Sequence, residues 1–252
     1  MIAMLSPSKT MDFTSDITRL KQEKQPLFKE KTASLVSHLK SKSIEDLMGL
    51  MKISKNIAEE NYHRYRDFSF GTISERQRPT IFALQGDVYK GLNAVSFNER
   101  EIIVAEASIR ILSGLYGILS PLTLIEPYRF EMGLKFNGIK ASGYWKDSVT
   151  EELNRLLVKS KNKIIINLAS AEYMAAIDKK KLDDKIIDIV FRENRNGQLK
   201  TIAIFAKRAR GMMARYIVKE KIESPEELKA FNHEGYRYEE SLSKENSLVF
   251  LR

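Results

Sequence analysis

The sequence predicts an α+β protein: a central mixed β-sheet flanked by helices, with a helical, helix-hairpin-helix-like subdomain near the N-terminus. Three observations carry this expectation. Short apolar runs bounded by turn residues, Ile2–Leu5, Lys163–Leu168, Lys185–Phe191 and Ser247–Leu251, have the length and composition of buried strands. Apolar residues recur at helical spacing between Phe28 and Phe70 and again from Gly143 to Lys159. A chain of 252 residues, 43% hydrophobic, can bury one substantial core, and it shows neither an internal repeat nor a low-complexity tract. Residues 1–252 are therefore read as one domain, with residues 28–70 a subdomain within it.

Ile2–Leu5 is a strand that runs into the turn Ser6-Pro-Ser-Lys-Thr10. Two hydroxyls, a lysine and backbone amides just past a strand end make either a small anion cradle or a polar cap. Three helical pieces follow at about 28–40, 43–51 and 56–67, the second opened by a Ser43/Asp46 cap. Between the second and third, Lys52-Ile-Ser-Lys-Asn56 has the spacing of a helix-hairpin-helix turn, which presents backbone N–H groups to a DNA phosphate. Lys52 and Ser54 stand where that motif has glycines. An αα-hairpin with a solvated basic tip is the other reading.

Gly71–Pro79 is turn-rich and marks a subdomain boundary; Thr80–Leu84 reads as a strand. Gln85–Gly91 has the two glycines of a phosphate loop, but Leu92-Asn93 replace the Lys-Ser/Thr that a nucleoside triphosphate site needs. Ser96-Phe-Asn-Glu99 fits a capping box opening a helix to Ser108. From Arg110 to Gly133 apolar residues are broken by Gly and Pro, which suits neither a long helix nor a central strand and reads as buried, turning backbone. Trp145, Val149, Leu153, Leu156 and Leu157 form the apolar face of the next helix.

After the strand Lys163–Leu168, Ser170 can cap a helix with Glu172 in its first turn, a polar cluster at a strand's carboxyl end. Lys185–Phe191 and Lys200–Ala206 read as strands around the hairpin turn Asn194–Gly197. The second leads into a helix carrying Lys207, Arg208, Arg210 and Arg215 near its start, where cations oppose the helix macrodipole unless an anion is bound. Ser224-Pro-Glu-Glu227 opens a short helix, and Ser247–Leu251 is a final strand.

Composition narrows the chemistry. Zero cysteines exclude disulfides, thiolate nucleophiles and Cys-based metal sites, and the three histidines form no ligand pair, so no metal or cofactor is expected. No apolar run reaches the roughly 20 residues of a membrane span, and the N-terminus does not read as a signal peptide; a cytoplasmic chain is expected. The formal net charge of +9 points to a polyanionic partner.

Several motifs together resemble the YaaA family of peroxide-stress-resistance proteins. They are Ser6–Thr10, Gly86-Asp-Val-Tyr89, Leu112–Gly117, Pro127-Tyr-Arg129 with Glu131-Met-Gly133, Asn167–Ser170 with Glu172-Tyr173, and Ala209-Arg-Gly211. The resemblance spans nearly the whole chain in order. It implies a cytoplasmic protein that binds double-stranded DNA and helps limit iron-dependent oxidative damage; non-specific phosphate contacts and a monomer are expected beside it. It places DNA contacts at Lys52, Ile53, Ser54, Lys55 and Asn56, and the charge reading adds the basic helix start at Lys207, Arg208, Arg210 and Arg215. It also implies a pocket at Lys9, Arg129, Glu131, Asn167, Ser170, Glu172, Lys207 and Arg210, which Tyr128 is expected to reach. Ala171 and Ser8 depart from the family pattern, the first leaving no pair of adjacent carboxylates there. An alternative is an enzyme acting on a nucleobase, nucleotide or related anion, with Lys9, Arg129 and Glu131 as catalytic candidates. Convergence of Lys9, Glu131, Lys207 and Arg210 on one deep pocket favours chemistry; a shallow basic groove favours binding alone.

Overall fold

The computed structural model describes residues 1–15, 23–69 and 76–252. Its main sheet has eight strands: β1 Ile2–Leu5, β2 Ile109–Ser113, β3 Gly117–Leu119, β4 Ile164–Asn167, β5 Lys185–Arg195, β6 Gln198–Lys200, β7 Arg237–Tyr238 and β8 Ser247–Leu251. Ten described helices accompany it: α1 Lys29–Lys40, α2 Ile44–Met51, α3 Lys55–Arg66, α4 Thr80–Ala83, α5 Asp87–Leu92, α6 Glu99–Ser108, α7 Ala141–Val158, α8 Ala171–Met174, α9 Ala203–Lys219 and α10 Pro225–Leu228. The expected mixed sheet flanked by helices is therefore present.

The strands run in the order β7-β8-β5-β4-β1-β2-β3, with β6 folded back on β5. The inner five are mutually parallel: β1 pairs with β2 and with β4, β4 with β5, and β5 with β8. Antiparallel partners occur only at β3, β6 and β7. Buried on both faces, the parallel strands need continuous apolar runs, and all four residues of β1 are at most 3% exposed. From β1 the chain first moves one way, to β2, and later the other way, to β4. Between β1 and β4 it leaves a switch point, where the loops at the strands' carboxyl ends part.

Four sequence expectations are corrected. Thr80–Ala83 is helical, not extended: its backbone N–H groups at Thr80 and Ile81 bond to the carbonyls of Thr123 and Pro121 (2.8 and 3.0 Å), and a four-residue apolar run buried all round carries no period to separate helix from strand. The predicted strand Lys200–Ala206 stops at Lys200, and α9 begins at Ala203, so Lys207 lies in its second turn. Asn98 and Glu101 make the capping box of α6, not Ser96 and Glu99, because Ser96 ends a preceding 3-10 turn. Arg110–Ser113 belongs to β2 and Gly117–Leu119 is β3, so the stretch is strand where it joins the sheet; apart from these and the short strand Leu124–Ile125, the rest to Gly133 is turning, and the whole is almost entirely buried, as expected.

Gly114 accounts for that last segment's need of glycine, since a Cβ there would stand 2.1 Å from the carbonyl oxygen of Phe130. Its own carbonyl accepts the Trp145 indole N–H at 2.7 Å, which pins the turn to α7. Of the boundary read at Gly71–Pro79, residues 71–75 lie outside the described residues, as does Phe70 at the end of the 28–70 subdomain. Arg78–Pro79 is buried and pairs with Leu124–Ile125 in a two-stranded ribbon.

A candidate anion-binding cleft at the switch point of the sheet

β1 ends at Leu5 and β4 at Asn167, so their following turns emerge at the same edge of the sheet. The turns are stitched together: the Ser170 N–H donates to Ser6 Oγ at 2.8 Å, and the Leu168 N–H to the Met4 carbonyl at 3.0 Å. Asn167 shapes the second turn from within, its Oδ1 accepting the Ala169 N–H at 2.9 Å. The start of α5 closes over them, with the Tyr89 hydroxyl donating to the Ser6 carbonyl at 3.0 Å.

A cleft of about 470 Å³ opens between these turns, α5, α9 and the Glu131 loop. Lys9, Glu131, Ser170, Glu172, Lys207 and Arg210 all line it, although they come from four separate parts of the sequence. Such a volume accommodates a small organic ligand. Ser6, Ser8 and Thr10 add hydroxyls, so the Ser6–Thr10 turn forms one wall.

Charge in the wall is arranged around Glu131. Its Oε1 is 3.3 Å from Lys9 Nζ and 3.2 Å from Arg129 Nη2. The Lys9 side chain is 66% exposed, whereas those of Arg129 and Glu131 are 18% and 14% exposed. Arg129 is braced by the Tyr65 hydroxyl, which donates to its carbonyl. Arg210 is largely desolvated, which holds its guanidinium below the usual arginine range, and the charge of Asp188 opposes that shift. Asp188 in turn accepts the Asn167 side-chain amide at 2.6 Å. Glu172 accepts the Gly133 N–H at 3.0 Å, tying α8 to the loop that carries Glu131.

The remaining predicted residues lie elsewhere. Tyr128 is buried behind the wall, its hydroxyl 2.7 Å from that of Ser113, and burial pushes its phenol well above the ordinary tyrosine range. Arg129 and Asn167 likewise support the wall rather than line it. The four predicted basic residues of α9 divide between two faces. Lys207 and Arg210 face the cleft, while Arg208 and Arg215 line a separate groove of about 480 Å³ with Lys90 and Lys219. Arg208 pairs with Glu234 at 2.8 Å, and Arg215 donates to the carbonyls of Leu92 and Asn93. Lys52, Ser54, Lys55 and Asn56 are exposed and Ile53 is half-buried at the α2–α3 turn, remote in sequence from both. Lys52 has φ 52°, the left-handed conformation a glycine would adopt more readily, and the Ser54 side chain leaves the N-terminus of α3 uncapped.

Sequence reasoning passed over Asp188, and named Tyr173 only within the Glu172-Tyr173 motif although it lines the cleft. Asp188 is the one polar residue within the apolar run Ile186–Phe191; its register opposite Asn167 appears only once β4 and β5 are paired. Among the described residues, no group of three His, Asp or Glu side chains is placed to hold a metal ion, and no helix is long and apolar enough to cross a membrane.

A family model described as "Peroxide stress protein YaaA" matches residues 1–242. The chain belongs to the YaaA family. Its relatives include a UPF0246 protein of Francisella philomiragia, 43% identical with all of both chains covered, and one of Legionella pneumophila, 43% identical over all of this chain and 99% of the relative. A UPF0246 protein of Francisella tularensis subsp. holarctica is also 43% identical over the full length of both. Membership supports a peroxide stress protein; the YaaA name itself specifies no ligand for the cleft.

Proposed function

We propose that this YaaA-family chain serves the peroxide stress response by binding, and acting chemically on, a small anionic molecule of the nucleobase, nucleotide or related class in the switch-point cleft. The observation that carries this reading is the convergence of Lys9, Glu131, Lys207 and Arg210 on one cleft. Lys207 and Arg210 clamp the anion. Glu131, half-shielded and charge-paired, is the acid–base candidate, and Arg129 orients it. Lys9 serves as a clamp: a lysine nucleophile needs desolvation, and this side chain is 66% exposed beside a carboxylate. Calorimetric titration with nucleobases, nucleotides and small carboxylates tests the assignment. Saturable binding that Lys207→Ala/Arg210→Ala weakens at least about tenfold, while Arg208→Ala leaves it unchanged, is the expected outcome. A panel that nowhere binds at millimolar concentration overturns it.

A second reading, non-specific binding of double-stranded DNA by a cytoplasmic monomer, is favoured by the α2–α3 turn. There an uncapped helix N-terminus is flanked by exposed Lys52, Ser54, Lys55 and Asn56. Coating DNA in this way would limit iron-dependent damage without a metal site. In a mobility-shift titration, Lys52→Glu/Lys55→Glu should weaken duplex binding at least about tenfold and flatten its salt dependence by about two phosphate contacts. Identical titration curves for variant and parent would refute it.

A further inference from the structure

We infer that the switch-point cleft takes a ligand carrying both signs of charge, with an anionic group for Lys207 and Arg210 and an ammonium group for Glu172, as in an amino acid. The inference rests on the reading of the cleft as an anion site and narrows its ligand class: the anionic group remains, and a cationic one joins it.

A full count of the charges around the cleft carries the argument. Among the described residues it is lined by three cations, Lys9, Lys207 and Arg210, and by three carboxylates, Asp87, Glu131 and Glu172. The charged residues bonded to this lining from behind add one of each sign, Arg129 through Glu131 and Asp188 through Asn167. The site is balanced as a whole, yet only part of that balance is closed within the protein. Lys9 and Glu131 pair at 3.3 Å, on an oxygen that Arg129 shares. Lys207, Arg210, Asp87 and Glu172 form no ion pair with any described residue or with one another. Two cations and two carboxylates therefore line one partly enclosed cleft without neutralising each other.

The elements that carry these groups hold them apart. Lys207 and Arg210 are three residues apart in α9, about one turn, so they share a face of that helix. The Arg210 Nε is buried with no hydrogen-bond partner. Glu172 sits in the first turn of α8, where one of its oxygens accepts the Gly133 N–H at 3.0 Å. That bond anchors the carboxylate to the Glu131 loop and leaves its second oxygen for a ligand. A simple anion satisfies the α9 pair but enters beside two carboxylates that no described cation pairs with, and it retains their repulsion. A simple cation meets the reverse difficulty. One small molecule bearing both groups answers both, and away from bulk water each contact is strengthened.

The test uses the full chain at pH 7 and matched probes that differ only in an amino group: glycine against acetate, 4-aminobutyrate against butyrate, and 6-aminohexanoate against hexanoate. Each is titrated by calorimetry or by amide chemical shifts. At this pH the amino groups are protonated and all the carboxylates are ionised. In at least one pair the zwitterion should bind about tenfold more tightly than its deaminated partner. This comparison stands without any variant. Glu172→Gln keeps an amide oxygen for the Gly133 N–H, and it should bring that zwitterion to within about threefold of its partner without weakening the partner. Lys207→Ala/Arg210→Ala should weaken both members of the pair. Deaminated acids that bind as tightly as the zwitterions in every pair overturn this inference and leave the anion site standing. A preference that persists undiminished in Glu172→Gln overturns the inference as well, since the ammonium group is then held elsewhere. Failure of all the probes to bind removes the anion site itself and this inference with it.

Discussion

Gly211 shows how far one residue's size can govern this molecule. A Cβ at that position would lie 1.8 Å from the Val88 carbonyl oxygen, and one at Gly91 would lie 2.2 Å from the Arg208 carbonyl. Backbone meets backbone at the α5–α9 crossing, and neither side has a flexible group that could yield. Gly211→Ala is therefore expected to cost about 3 kcal/mol or more, in the range of overpacked cores, and to lower the urea midpoint accordingly. A variant within about 0.5 kcal/mol of the parent would mean that the helices separate freely. Glu131 gives a second residue-level test. Glu131→Gln removes the shared charge from Lys9 and Arg129 and leaves the less exposed Arg129 without its anion, for an expected loss of about 1–3 kcal/mol. Unchanged stability in urea would show the pair to be energetically idle.

At the scale of elements, what was legible in the sequence was whatever a local rule determines. The Ser43/Asp46 capping box, the Asn194–Gly197 hairpin and the Pro-initiated helix at Ser224 are short-range chemistry, and each is found where it was read. Elements decided by distant partners were read less well. Thr80–Ala83 becomes helical through bonds to Pro121 and Thr123, and Ile109–Ser113 becomes a strand because β1 offers it a parallel edge. The cap of α6 makes the distinction measurable. Asn98 accepts the Glu101 N–H at 3.0 Å, while Ser96 donates to the Asn93 carbonyl and accepts from Arg215. Asn98→Ala should cost about 1 kcal/mol of stability and Ser96→Ala less; the reverse order would restore Ser96 as the cap. The cleft was legible in part, because its lysines, arginine and hydroxyls sit at strand and helix ends, where polar residues stand out. Asp188 was not, since only strand pairing gives the acid inside the apolar run Ile186–Phe191 a neighbour.

At the scale of the whole molecule, five tyrosines set a limit on the conditions the fold tolerates. Tyr65, Tyr89, Tyr116, Tyr128 and Tyr173 are all buried, and desolvation of the phenolate raises each above its ordinary value of 10.0. An unfolded chain releases these protons near pH 10, whereas the folded chain holds them, so the unfolded state binds fewer protons above that pH. Stability should be undiminished by these groups below about pH 9. It should then fall steeply as pH rises beyond 10, by about 1.4 kcal/mol per pH unit for each tyrosine still protonated in the fold. Thermal melts between pH 8 and 11 check this; a melting temperature that stays level through pH 10.5 would contradict it. The two-sided placement of the sheet's neighbours also bears on how the molecule is made. Of the strands of the main sheet β1 is made first, yet Ala3 pairs with Ile109 on one side and Ile166 on the other. On a ribosome one edge of this apolar strand can pair once β2 has emerged, but the other must wait until β4 has, and the cleft cannot close until α9 delivers Lys207 and Arg210. Nascent chains halted before α9 should thus expose a sticky, half-built sheet to chaperones, and ligand binding should switch on only once α9 has emerged.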